Sequence, residues 1–388
     1  MLWVLYDSRT LLHETVELLG GKHIPALESP DRIRALVKAL DTSSDAFIEL
    51  DAVDKSFEDP LLQRFLAESH ESGYLEHLRT IHRAWVSEAL VSQKDSILPE
   101  CFPVQRMFTG NSLPARLSVP PKDIFARTGY YAFDMSTGIC ENTWTAVVAS
   151  ANLAVHGVRM LSSKRESSNT VMALCRPPGH HCNAKMAGGY CYVNNAVVAV
   201  HAIRHFFGPS RSLPSEKPKV AILDIDFHHG NGTQDYFYYD PWVLYVSIHG
   251  LHEYPYYSGF ENEIGEDQGK GFNLNLPLPA GSSTKQYLSK LDTAIQRMDH
   301  YAPDFLIVSL GFDTYNADPL GSFKIETEDY VTIAHRIKNS RPLLKTPSLL
   351  LLEGGYVVEN LGENLAAFLR GWEGTVDVIA KAADSPGH

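Results

Sequence analysis

No apolar run in this chain reaches the roughly eighteen residues that a membrane-spanning helix requires. The opening "MLWVLYD" lacks the basic flank and small-residue cleavage site of a secretory signal, and reads instead as a first strand. Cysteine is scarce: Cys101, Cys140, Cys175, Cys182 and Cys191 are the five in 388 residues, and no two form a CxxC pair. An odd count without paired spacing argues against a disulfide framework and against a structural zinc cluster. Reduced, partly buried thiols remain. Basic residues are in deficit, 34 Lys and Arg against 46 Asp and Glu, a formal net charge of -12. That balance disfavours non-specific nucleic-acid binding. It would draw a cationic substrate inward, although acidity also serves solubility. Internal repeats and low-complexity blocks are absent as well. The expected setting is the cytoplasm, with the nucleus as the alternative, and neither nucleic acid nor membrane as a partner.

What is present is a globular composition, 44% hydrophobic and 21% charged, in a chain long enough to bury a large core. Helical patterns cover 29–40, 73–92, 141–161, 194–207 and 284–301, with Ser29 as N-cap of the first and Pro30 just inside it. Apolar runs fall between and after them: "TVMALC" (170–175), "VAILDID" (220–226), "WVLYVSIHG" (242–250), "FLIVSLGFD" (305–313) and "PSLLLLEGGY" (347–356). They are continuous rather than alternating, the pattern of strands covered on both faces of a parallel sheet. The expected class is α/β, as one domain over 1–388. Residues 98–128 differ, with several prolines and no clear period. Their Phe102, Met107, Phe108 and Phe125 suit a substrate-channel wall or a subunit contact, the latter implying a homodimer.

In parallel α/β sheets, ligands bind outside the carboxyl ends of the strands. Each apolar run here is followed by ionisable groups: His180 and His181, then Asp224, Asp226, His228 and His229, then His249, then Asp313, then Glu353 and Tyr356. Side chains on a strand alternate faces, so Asp224, Asp226 and His228 share one. Asp226 and His228 can offer a divalent cation two ligands, with Asp313 the best third. Such a set leaves a position open for water, as in catalytic zinc sites, and iron(II) or cobalt would also fit. The alternative is that Asp224 and Asp226 cap nearby amides. The stiff "RPPGHH" turn can converge two imidazoles suited to proton transfer. Asp224 and Asn231 are available to back and to orient them. Tyr356, on the glycine turn "EGGY", can donate to a developing oxyanion, or simply pack.

Taken together and in order, "RPPGHH", "GGYCYVNNA", "DIDFHHGNGTQ", "SLGFDTYNADPLG" and "EGGY" resemble the zinc-dependent deacetylases, the superfamily of histone deacetylases and acetylpolyamine amidohydrolases. "FPVQRM", "GYYAFDMSTGICENTW", "EYPYYSGFENEIGE" and "GFNLNLPLPAG" are similar to the acetylpolyamine amidohydrolase branch. The resemblance implies an arginase/deacetylase fold, a three-layer α/β/α arrangement around a mainly parallel sheet of about eight strands. It implies zinc on Asp226, His228 and Asp313, with His181 as general base oriented by Asn231. His180 would be its electrostatic partner or a general acid, backed by Asp224, and Tyr356 the oxyanion donor. It implies a structural potassium held by Asp224, Asp226, His228, Ser247 and Ile248, and a second monovalent site around Phe237, Asp240, Val243 and Phe272. The substrate channel would be lined by Gly189 and Tyr190, with Tyr256 and Tyr257 opposite. Polyamine-specialised members carry carboxylates where alignment on "GYY" places Phe125 and Ser136, so Asp123 and Asp134 are the neighbouring substitutes.

The expected activity is zinc-dependent removal of acetyl groups from small acetylated amines. A protein lysine deacetylase with the same chemistry is the alternative, and a non-catalytic acyl-amine binding module is a third reading.

Overall fold

The continuous apolar runs become strands covered on both faces. The structure, a computed structural model, describes residues 2–40, 47–49, 59–103, 119–163, 169–208, 217–340 and 343–374. The strands are β1 (Trp3–Tyr6), β2 (Val16–Leu19), β3 (Lys22–Pro25), β4 (Phe47–Glu49), β5 (Thr170–Ala173), β6 (Val220–Asp224), β7 (Val243–Gly250), β8 (Asn273–Leu278), β9 (Phe305–Leu310) and β10 (Ser348–Leu352). The α-helices are α1 (Pro30–Ala39), α2 (Pro60–Ser69), α3 (Ser72–Ser87), α4 (Ile124–Tyr130), α5 (Thr143–Ser162), α6 (Asn195–Phe206), α7 (Asn231–Phe237), α8 (Thr284–Tyr301), α9 (Asp329–Lys338) and α10 (Val358–Glu373).

An eight-stranded sheet runs in the order β4-β1-β5-β10-β9-β6-β7-β8, and its pairings are all parallel. Strands β2 and β3 form a separate antiparallel hairpin. Alternation along each strand builds the three layers. Val220 and Ile222 join a cluster with Val155 of α5 and Val198 of α6. Ala221 and Leu223 join one on the other face with Leu291 of α8, Ile333 of α9 and Phe368 of α10. Each fully buried valine, leucine, isoleucine or phenylalanine among these contributes about 1.5–3 kcal/mol. The α/β/α architecture expected from the sequence is the one observed.

The chain leaves the sheet earlier than the apolar runs suggest. β5 ends at Ala173, β9 at Leu310 and β10 at Leu352. Beyond these points the backbone bonds to other turns instead of the ladder: Phe312 N–H donates to the Gly354 carbonyl at 3.0 Å. The helix expected over 73–92 stops at Ser87, where the Leu90 N–H folds back onto the Trp85 carbonyl. The irregular stretch expected over 98–128 ends in helix: Asp123 caps α4, accepting from Ala126 N–H at 2.9 Å. Its middle, including Met107 and Phe108, lies outside the described residues. All five cysteines are free thiols, Cys101 exposed and the others buried. Among the described residues no helix is long and apolar enough to cross a membrane.

Candidate active site

β5, β10, β9 and β6 are consecutive in the sheet, so the turns after them meet at one edge. Asp226 and His228 follow β6, and Asp313 follows β9. Their ligand atoms all lie within 4.8 Å of one another, and the three residues are buried. His228 Nδ1 is 2.9 Å from Asp313 Oδ2 and 3.3 Å from Asp226 Oδ1. The carboxylates also accept backbone amides: Asp226 Oδ1 from His228 at 2.9 Å, Asp226 Oδ2 from Gly354 at 2.8 Å, and Asp313 Oδ1 from Phe227 at 2.8 Å. Ligand and cap were alternatives in the sequence, yet one carboxylate can do both. A Cβ on residue 354 would lie 2.5 Å from Asp313 Oδ2 and 2.7 Å from Asp226 Oδ2, so only glycine lets the β10 turn approach this closely. Burial, and then repulsion from Asp226, push Asp313 up to about 7. Two buried carboxylates and an imidazole fit a divalent cation of the zinc type. Such a cation would offset the charge that burial penalises.

His180 and His181 follow β5 with ring centroids 4.0 Å apart. Their environments differ. His180 Nδ1 lies 3.1 Å from Asp224 Oδ2, and its Nε2 is 3.7 Å from Asp226 Oδ1. Burial works against its charge, but Asp226 and Asp224 outweigh it and hold the imidazole up at about 10. His181 Nδ1 donates to Asn231 Oδ1 at 2.8 Å. That bond fixes the proton on Nδ1 and leaves Nε2 a lone pair. Burial, then the neighbouring His180 and His228, lower the His181 pKa well below the usual imidazole range. Adjacent imidazoles are thus split into a proton-holding and a proton-accepting partner. Tyr356 has its N–H on Asp318 Oδ2 at 2.7 Å and its ring 5.1 Å from the Arg32 guanidinium carbon. Burial keeps its hydroxyl protonated, with a pKa well above the usual value. Arg32 is itself buried, donating to the carbonyls of Gly355, at 2.7 Å, and of Glu353. Its Nη1 donates to Glu28 Oε1 at 2.8 Å, where Arg176 Nε also donates, at 2.9 Å.

A cleft of about 260 Å³ leads from the surface to His181, His228 and Tyr356. Gly189, Tyr190 and Tyr256 are among the residues that line it. A Cβ on Gly189 would strike His181 Cδ2 at 2.1 Å. Tyr257 does not line this cleft: it is 90% exposed and faces an adjacent groove with Phe133 and Asn231. The wall position belongs to Tyr254, whose ring meets His181 edge-on at 4.9 Å. Asp134 ties the two walls together, its Oδ2 accepting from Gly189 N–H at 2.7 Å and from the Tyr254 hydroxyl at 2.8 Å. Of the two carboxylates that could replace Phe125 and Ser136, Asp134 is in the cleft, whereas Asp123 is spent on the α4 cap. Glu253 and Glu17 also line it. Glu17, on β2, accepts the Tyr190 hydroxyl at 2.9 Å and Leu27 N–H at 3.0 Å. Sequence reasoning missed Glu17, because the hairpin carrying it lies far from every motif. A Gly20-Gly21 pair between "VELL" and "KHIP" was the available signal.

Behind the site, Asp224 and Ser247 are register partners on β6 and β7, both buried with Ile248. Asp224 Oδ2 accepts the Tyr245 hydroxyl at 2.9 Å, and Ser247 Oγ lies 2.8 Å from His249 Nδ1. His229 and His249 point away from the cleft. His229 bonds Ser258 and Gln234, and His249 Nε2 donates to the Gly259 carbonyl at 2.9 Å.

Comparison with known proteins agrees with this architecture. The family described as "Histone deacetylase domain" matches residues 26–372. Acetylpolyamine amidohydrolase 1 of Pseudomonas aeruginosa is 36% identical over 376 residues, covering 96% of this chain and 99% of that protein. Acetylpolyamine amidohydrolase of Mycoplana ramosa is 32% identical over 373 residues, covering 96% and 99%. A crystal structure of acetylpolyamine aminohydrolase from Burkholderia pseudomallei superposes with a TM-score of 0.81 at 32% identity, covering 96% of this chain and 99% of that one. With a parallel sheet whose central strands end in this histidine, carboxylate and tyrosine cluster, the chain belongs to the histone deacetylase family and is an amide-hydrolysing deacetylase.

Proposed function

We propose that the chain removes acetyl groups from small acetylated amines of the polyamine type, with a divalent metal on Asp226, His228 and Asp313. The observation carrying this reading is the convergence of His181, His228 and Tyr356 at the inner end of one narrow cleft walled by Glu17, Asp134 and Glu253. Bound there, zinc, or iron(II) or cobalt with similar donor preferences, would supply the Lewis acidity that polarises an acetyl carbonyl and acidifies a water. The remaining steps belong to side chains. His181 Nε2 takes the proton of the attacking water. The charged His180 beside it stabilises negative charge as it develops. Tyr356 donates its hydroxyl hydrogen to the carbonyl oxygen, more strongly once that oxygen becomes an oxyanion. The His181 imidazolium then returns the proton to the departing nitrogen, giving acetate and a free amine. The wall carboxylates favour a cationic remainder on the substrate. The relatives named above as acetylpolyamine amidohydrolases support this substrate class. A potassium ion behind the site, on Asp224, Asp226, His228, Ser247 and Ile248, belongs to the same reading, supported by the pairing of Asp224 with Ser247.

The test is turnover on acetylputrescine, acetylspermidine and an acetyl-lysine peptide, before and after chelation and with zinc restored. Free acetylpolyamines should be preferred by tenfold or more in kcat/KM, at about 1.4 kcal/mol per factor of ten, and chelation should abolish activity on all three. Preference for the peptide would establish the protein-deacetylase alternative. Absence of turnover with metal bound would leave a binding module. Asp226→Ala and His228→Ala should lose metal and activity together; retained metal in either would refute the ligand assignment.

A further inference from the structure

Glu353 has no task in the reaction above, yet it is fully buried at the end of β10. Its Oε2 accepts the Gly179 N–H at 2.7 Å and the His180 N–H at 3.2 Å. Its Oε1 has no hydrogen-bond partner among the described residues. A buried carboxylate in that condition is costly, and one that persists needs a reason. Its place supplies one. The ladder between β5 and β10 stops at Ala173 and Leu351. His180 and His181 lie past the first of these residues, and Tyr356 past the second. Beyond the ladder, the two bonds from Glu353 tie the histidine turn to the tyrosine turn. The next residue, Gly354, bonds Asp226, and Arg32 holds the carbonyls of Glu353 and Gly355. The carboxylate therefore sits where histidine turn, metal ligand and tyrosine turn must be brought to one height.

We propose that Glu353 is a positioning residue, which sets the His180–His181 turn against Tyr356 so that base and oxyanion donor address the same acetyl carbonyl. This rests on the roles assigned above to His181 and Tyr356. Substrate binding along the cleft walls does not involve Glu353, so its loss should reach turnover rather than affinity.

Glu353→Met keeps the volume and removes the acceptor. It should lower kcat by about thirtyfold or more, since a misplacement near 1 Å can cost about a hundredfold, while KM and metal content per chain stay as in the wild type. Glu353→Gln keeps an oxygen for both N–H groups and should restore kcat to within about fivefold of wild type. A wild-type kcat in Glu353→Met, a rise in KM at constant kcat, or equal loss in both variants would overturn the proposal. If Glu353→Met does not fold, Glu353→Gln decides alone: a kcat loss above about thirtyfold overturns the positioning role, as the same magnitude argument requires. His181→Ala is measured in parallel. Full activity there would defeat the assignment of the base; an inactive His181→Ala beside a fully active Glu353→Met would defeat only the positioning role.

Discussion

Glu28→Gln is a small perturbation with a large expected effect. Glu28 and both its arginine partners are at most 1% exposed. The carboxylate Oε1 accepts from Arg32 and Arg176 at 2.8 and 2.9 Å. Arg176 also donates to the carbonyls of Thr10, His13 and Glu28, so the amide variant leaves every guanidinium with hydrogen-bond acceptors. What it removes is charge: the triad goes from one net positive charge to two. At an effective dielectric of about 20, unit charges about 4 Å apart attract by about 4 kcal/mol, and two such contacts are lost. Part of that is offset because the neutral amide is cheaper to bury than the carboxylate. The net loss should be about 3–5 kcal/mol, as for other broken buried ion pairs. Urea denaturation followed by tryptophan fluorescence at pH 7.5 measures it. The double variant Glu28→Met/Arg176→Met restores one net charge and should be more stable than Glu28→Gln. A loss below about 1 kcal/mol in Glu28→Gln, the range of exposed pairs, would refute the charge argument.

His77 gives a pH prediction. Burial, then the charge of Arg127, lower its pKa from 6.5 to about 3. As pH falls below 6.5 the unfolded chain takes up a proton that the folded one refuses, so stability is lost, by up to about 1.4 kcal/mol per pH unit from this group. Its Nδ1 is buried without a partner among the described residues, and its ring packs 4.8 Å from that of Tyr131. His77→Phe should therefore fold normally at pH 7 and resist acid better, with a shallower fall in stability between pH 6.5 and 4; an unchanged slope would count against the shift. Tyr356→Phe should lower kcat by about 10²–10³, the usual cost of one oxyanion donor, with metal still bound by elemental analysis. Asp134→Ala frees Tyr254 and the Gly189 turn, and should raise KM by about tenfold or more while kcat changes less, since bonds to a charged group contribute about 1.5–3 kcal/mol each.

The parallel sheet and the grouping of Asp226, His228 and Asp313 were legible because they rest on local pattern. Runs such as "VAILDID" declare buried strands, and the charge that ends them marks the edge where ligands gather. β8 was harder to read: Asn273 and Asn275 interrupt its apolar residues, and those asparagines are buried because they bond Gln234 and the 260–263 turn. Of the two tyrosines expected opposite Tyr190, Tyr257 faces the adjacent groove while Tyr254 joins Tyr256 in the cleft, because sequence order does not say which tyrosines of "EYPYY" turn inward. Tyr254 does so by giving its hydroxyl to Asp134, a partner 120 positions away. The Glu28, Arg32 and Arg176 triad was invisible for the same reason, since Glu28 and Arg176 are 148 positions apart.

The strand order has a consequence for how the protein is made. β9 and β10 are the last strands in the chain, yet they lie in the middle of the sheet, between β5 and β6. A nascent chain that has released everything up to α8 holds two half-sheets with bare facing edges and no Asp313, Glu353 or Tyr356. Synthesis proceeds from the N-terminus at about 5–20 residues per second, so those edges wait, open to wrong pairing, for the final segment. Its arrival joins the halves: β9 pairs with β6 and brings Asp313 to Asp226 and His228, and β10 then seats Glu353 and Tyr356 between that cluster and the histidine turn after β5.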